Sequence, residues 1–68
     1  MNVCYNNFWK LLIDKGMKKS EFAKEAGISS PTLAKMSKNQ LVSMEVIVKI
    51  CRFLNCSVDD VLEIVRNN

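Results

Sequence analysis

The side chains that could do chemistry here are hydroxyls and ammonium groups at close intervals. Ser29, Ser30 and Thr32 lie almost side by side, and Lys35 and Lys38 follow at steps of three. Such groups suit hydrogen bonding and charge pairing, not bond breaking. The chain contains no histidine, which excludes His-based general acid/base catalysis and every zinc site that needs an imidazole. No nucleophile stands beside a base and no glycine-rich loop cradles a phosphate, so an enzyme is not expected. Cys4, Cys51 and Cys56 are odd in number and too far apart for a Cys-x-x-Cys clip. They read as free thiols of a reducing compartment, with neither a disulfide frame nor a metal knuckle. No metal and no cofactor is expected.

The lysines are unevenly placed. Ten Lys and Arg against seven Asp and Glu leave a mild net charge of +3. Residues 10–38 hold seven lysines against Asp14, Glu21 and Glu25, a balance of +4. Residues 39–68 hold three basic against four acidic side chains, a balance of −1. A basic segment of this kind points to a polyanionic partner, although a solvated lysine face would give the same count. No apolar run approaches the roughly 18 residues of a membrane span, so no membrane partner is expected. The first nine residues carry no basic side chain, and no signal peptide is expected to begin there. A cytoplasmic protein is the expectation.

At 68 residues the chain should form one domain, residues 1–68, with one small core and one binding face. Apolar residues recur at three and four throughout, and strict alternation is nowhere sustained, which is the helical period. Tyr5, Phe8, Trp9, Leu11 and Leu12 form the apolar face of a first helix, stopped at Gly16 by the left-handed conformation that glycine takes without steric cost. A second helix is expected over Lys19–Ala26, burying Phe22, Ala23 and Ala26, with Gly27 ending it. The third should begin at Ser29 or Ser30. Pro31 favours Ser30 as the cap, because proline prefers the first helical position and restrains the residue before it; Ser29 is equally able to cap. Leu33 and Met36 supply its buried side.

A fourth helix is expected over Met44–Leu54, capped by Ser43, with Ile47, Ile50, Cys51 and Leu54 inward. Ser57 and Asp60 resemble a capping box and should open a fifth helix whose inward stripe is Val58, Val61, Leu62 and Val65. The fold class expected is therefore all-α, a compact five-helix bundle. Tyr5, Trp9 and Phe53 are read as core or interface, and Met17 as filling the gap between helices one and two. Ile64 faces away from the inward stripe, and with Val58 or Val61 it could form an exposed apolar edge suited to a homodimer contact.

Helices two and three carry the functional pattern. In the twenty residues from Lys19 to Lys38, Phe22, Ala23, Ala26, Gly27, Ile28, Leu33 and Met36 occupy the places that fix a helix-turn-helix. Ala23 sits where a longer side chain would push the helices apart, and Gly27 makes the tight turn at positive φ. Together with Met17-Lys18-Lys19-Ser20-Glu21-Phe22-Ala23, Gly27-Ile28-Ser29, Thr32-Leu33 and Ile50-Cys51-Arg52-Phe53-Leu54-Asn55-Cys56-Ser57, the chain resembles the Cro/C1-type (XRE) family of bacterial and phage transcriptional regulators. The resemblance runs from about Phe8 to Leu62 and is to the short, stand-alone members. It implies the lambda-repressor-like DNA-binding fold.

It also implies that a recognition helix of about residues 30–38 lies in the major groove of double-stranded DNA. Carried over by position, the base-contacting residues would be Ser29, Ser30, Pro31, Thr32 and Lys35. Lys35 could donate to guanine O6 and N7, the most base-specific contact among them. Lys18, Lys19, Lys38, Asn39 and Gln40 would meet phosphate. Pro31 departs from the family, which often has a hydrogen-bonding side chain there; it either touches a thymine methyl or only starts the helix. Lys18 departs too, because the family often has Thr as this cap and a lysine cannot accept the amide hydrogen bonds. Helix two should then fray unless phosphate fills that role.

Two functions follow. The first is a sequence-specific DNA-binding regulator acting through two half-sites as a homodimer, with no small-molecule effector evident. The second is a protein-interaction module of the same fold, acting on another regulator or a toxin.

Overall fold

The computed structural model describes residues 2–66, in the order β1 (Asn2–Cys4), α1 (Asn6–Asp14), α2 (Lys19–Ala26), α3 (Ser30–Ser37), α4 (Met44–Leu54) and β2 (Glu63–Val65). Met1, Asn67 and Asn68, the ends of the expected 1–68 unit, lie outside the described residues. The second and fourth helices have the expected bounds. Ser43 caps α4, its hydroxyl accepting the Val46 N–H at 3.3 Å, and Asn55 closes that helix in the left-handed region at φ +52°.

The fifth helix is not formed among the described residues. The Ser57–Asp60 pair does form: the Asp60 carboxylate accepts the Ser57 N–H at 3.1 Å and its hydroxyl at 3.2 Å. It closes only a single 3-10 turn, Val58–Asp60. The chain then leaves as β2, antiparallel to β1, with Asn2 opposite Val65, Val3 opposite Ile64 and Cys4 opposite Glu63. The cause is local. Val61, Ile64 and Val65 are β-branched and favour extended backbone, and β1 supplies the ladder partner that a lone strand would lack. A short apolar stretch fits either period until that partner is known. The all-α expectation is therefore corrected, among the described residues, to four helices with a small two-stranded sheet, and of the expected stripe only Val61 is fully buried.

The core consists of Tyr5, Phe8 and Leu12 from the first helix and its cap, Phe22, Ile28 and Met36 from the helix-turn-helix, Ile47, Ile50 and Leu54 from α4, and Val61. Aromatic rings join its elements. Phe8 packs edge-on against Phe22 with centroids 5.1 Å apart. Phe22 meets Phe53 edge-on at 5.6 Å, in the geometry that aromatic quadrupoles favour. Phe53, expected in the core or at an interface, is an exposed ring at the core's edge that touches Phe22. Trp9, Leu11 and Met17 are half-buried against the same cluster.

The corner between α2 and α3 depends on Gly27, whose φ is +74°. A Cβ there would meet no atom within 4 Å, so the requirement is conformational, not steric. Gly27→Ala should lower stability by about 1 kcal/mol. Gly27→Asn should lose less, because this chain already holds Asn39 and Asn55 at positive φ. Urea unfolding midpoints of the two variants check the order.

Candidate nucleic-acid interface

The outward side of α3 begins with its cap. Ser29, in extended conformation, accepts the Thr32 N–H at 3.4 Å. The cap is Ser29, not Ser30, and Pro31 takes the second helical position. Proline is tolerated there because no first-turn amide has a partner within the helix. The Ser29 and Thr32 hydroxyls lie 2.8 Å apart, so one donates to the other and only one of the pair keeps a free O–H. α3 therefore offers fewer free hydroxyls than its composition promises.

Leu33 and Met36 turn toward the core, Met36 completely buried. Ser30, Pro31, Ala34, Lys35, Ser37 and Lys38 are exposed. At 3.6 residues per turn, Ser30 and Pro31, then Ala34 and Lys35, then Lys38 form one stripe along the helix. The Ser37 hydroxyl is occupied, donating to the Leu33 carbonyl at 3.2 Å.

Lys18 caps α2 with extended backbone and no hydrogen bond from its side chain. The reciprocal half of the cap is present: the Glu21 carboxylate accepts the Lys18 N–H at 3.2 Å. This ties the first turn down, while the first-turn amides of α2 still lack a side-chain acceptor. Lys19 is also held, its ammonium 4.3 Å from the centre of the Trp9 ring.

The loop after α3 is fastened to the start of α1. The Tyr5 hydroxyl donates to the Gln40 carbonyl at 2.7 Å, and the Tyr5 N–H donates to the Asn39 Oδ1 at 3.4 Å. Asn39 sits at φ +56°. Its amide nitrogen and the exposed Gln40 side chain remain as donors.

An open groove of about 610 Å³ runs between α2 and α3. It brings Lys19 together with Ser29 and Ser30, and its lining includes Ser20, Lys24, Ala34 and Ser37. Lys18, Pro31, Thr32, Lys35, Lys38, Asn39 and Gln40 do not line it. Ser20, Lys24 and Ser37 were not singled out from sequence. Lys24 lies in the basic segment, which was the one available signal; nothing in the spacing marked the two serines. No helix among the described residues is long and apolar enough to cross a membrane.

The helix-turn-helix corner, the capped α3 and its exposed stripe coincide with a family match. The family model of the Cro/C1-type helix-turn-helix DNA-binding domain covers residues 7–67. The chain belongs to this family. A crystal structure of the transcriptional regulator VanUg is similar to this Cro/C1-type domain at 45% sequence identity and a TM-score of 0.92, over 97% of this chain and 88% of that one. No curated protein matches the chain.

None of the three cysteines lines the α2–α3 groove. Cys56 follows the left-handed Asn55, and its N–H donates to the Cys51 carbonyl at 3.0 Å, closing the end of α4. Burial, then the neighbouring Cys51, pushes the Cys56 thiol up to about 11, so it stays protonated and unreactive at neutral pH. Burial likewise raises Tyr5 above its ordinary value, the backbone of Val42 acting the other way. Both groups hold their protons more tightly when folded. Their contribution is complete below the unfolded values and is lost as pH rises through the folded ones. The denaturation midpoint should fall across about pH 9 to 11, with a flatter profile in Cys56→Ser and Tyr5→Phe.

Proposed function

We propose that this domain is a sequence-specific transcriptional regulator that lays α3 in the major groove of its operator. The observation that carries the reading is the exposed stripe of Ser30, Pro31, Ala34, Lys35 and Lys38, opposite the side on which Met36 is buried. Ser30 and whichever of Ser29 and Thr32 keeps its proton read base edges weakly, because a hydroxyl donates to or accepts from any base. Lys35 supplies the sharper contact, to guanine O6 and N7. Pro31 and the methyl of Ala34 offer apolar contact to thymine methyl groups. Lys18, Lys19 and Lys38, with the Asn39 and Gln40 amides, take backbone phosphates. The uncapped first-turn amides of α2 add donors and the positive end of the helix dipole there.

Two copies would present their α3 helices to half-sites about 34 Å apart. Ile64 is 61% exposed, and Val58 and Val65 are also on the surface. Ile64 and Val58, which border one hollow, form the apolar edge on which the copies would meet, whereas Val65 alternates to the other face of β2. Val61, the alternative to Val58 at this edge, is instead buried in the core.

Anisotropy titrations on DNA flanking the coding region, against scrambled duplexes, test the reading. Lys35→Ala should cost about 1–3 kcal/mol of discrimination at one base pair. Lys38→Ala should weaken all sequences alike and lower the salt slope by about 0.9. Equal weak binding to every sequence, lost at physiological salt, would sink sequence recognition. If both alanine variants regulate normally while Ile64→Asp abolishes regulation, the domain acts through another protein instead.

A further inference from the structure

Lys19 differs from the other lysines at the interface. Among the described residues it is the one ammonium group placed over an aromatic ring, 4.3 Å from the centre of Trp9. That distance is well inside the range of about 6 Å over which a cation is drawn to a ring face, and tryptophan provides the strongest such face. The ring itself is anchored. Phe8 packs against it with centroids 4.7 Å apart, and Phe8 is fully buried and edge-on to Phe22 of α2. Phe22 follows Lys19 by three residues in the same short helix. The ring and the backbone that carries Lys19 are thus fixed to each other by the core, and Lys19 is one of the residues that line the groove with Ser29 and Ser30.

We propose that Trp9 is a positioning residue of the DNA interface, holding the Lys19 ammonium at the edge of the α2–α3 groove before a phosphate arrives. The proposal rests on the DNA-binding reading above. A lysine free to swing has most of its side-chain rotamer freedom to lose when it is fixed on a phosphate. Here part of that ordering precedes binding. The two partners do not compete, because the ring takes one side of the ammonium and leaves N–H donors for a phosphate oxygen. Trp9 would therefore raise affinity without touching a base and without adding a charge. Its effect should be independent of DNA sequence and should pass entirely through Lys19.

The chain contains one tryptophan, so the free protein reports the contact directly. Lys19→Met should alter the intrinsic fluorescence of Trp9. The upfield ring-current shift of the Lys19 ε-methylene protons should disappear in Trp9→Leu. A double-mutant cycle on the whole chain, with a labelled duplex of mixed sequence, then tests the role. Trp9→Leu should weaken binding about two- to fivefold and leave the salt slope unchanged. Lys19→Met should lower the slope by about 0.9. Trp9→Leu added to Lys19→Met should cost nothing more, and Trp9→Phe, which keeps an aromatic face, should fall between wild type and Trp9→Leu. Circular dichroism at the titration temperature confirms that each variant is folded, and the Trp9→Phe comparison still decides if Trp9→Leu is not. Equal losses with and without Lys19 would make Trp9 merely structural and overturn the proposal, as would no loss with Lys19 present. If the wild type binds no duplex at any salt, the DNA-binding reading fails and takes the proposal with it; normal binding without coupling overturns the proposal alone.

Discussion

The edge-on contact between Phe8 and Phe22 is the constraint on which the rest of the molecule depends. α2 and α3 have eight residues each, shorter than a helix that holds itself in water. Their order must come from burial, and Phe22 is the only completely buried side chain that α2 contributes. Through Phe8 it is tied to α1, and through Phe53 to α4. A buried phenylalanine contributes about 1.5–3 kcal/mol over an exposed one. The position of the whole helix-turn-helix is set from this ring outward.

From that anchor the outer surface inherits its order in steps. Gly27 turns the chain at φ +74°, and Ile28 and Met36 pin α3 from beneath. The Ser29 cap fixes where α3 starts, and Tyr5 fastens the loop where it ends. α3 is thereby held at both ends and along its inner side, so its outer side needs no packing role. Small, flexible or charged residues can occupy Ser30, Ala34, Lys35 and Lys38 without loss of stability. Recognition of a rigid duplex requires a surface held in this way, because disorder in the reader must be removed before any base can be read.

Much of this was legible beforehand. The spacing of Phe22, Ala23, Gly27, Leu33 and Met36 fits one geometry only when read together, and the caps and glycines punctuate it, so the bounds of α2 and α4 agree with expectation. The segment after Ser57 was not legible. Its capping pair is real, but a single turn is all that it nucleates, and Val61, Ile64 and Val65 are spaced as on a helix face yet β-branched as in a strand. What separated them was β1, more than fifty residues away in the chain, and no local pattern records so distant a partner. Sequence left Ser29 and Ser30 open as the cap of α3 because proline is accommodated anywhere in a first turn; the fold takes Ser29.

By itself the sequence determined that no imidazole is present, the helix-turn-helix and the basic segment of the chain, because each of these follows from residue types at short range. Tertiary structure alone decided which polar groups are available. Ser29 and Thr32 are bound to each other, Asn39 is turned partly inward by Tyr5, and Lys19 rests on Trp9. The first of these pairs lies within one helical turn, but whether its hydroxyls meet depends on where the helix starts. The others join α1 to α2 and to the loop after α3. A side chain's freedom to meet a ligand depends on what the fold has already placed against it, and that is a property of neighbours in space.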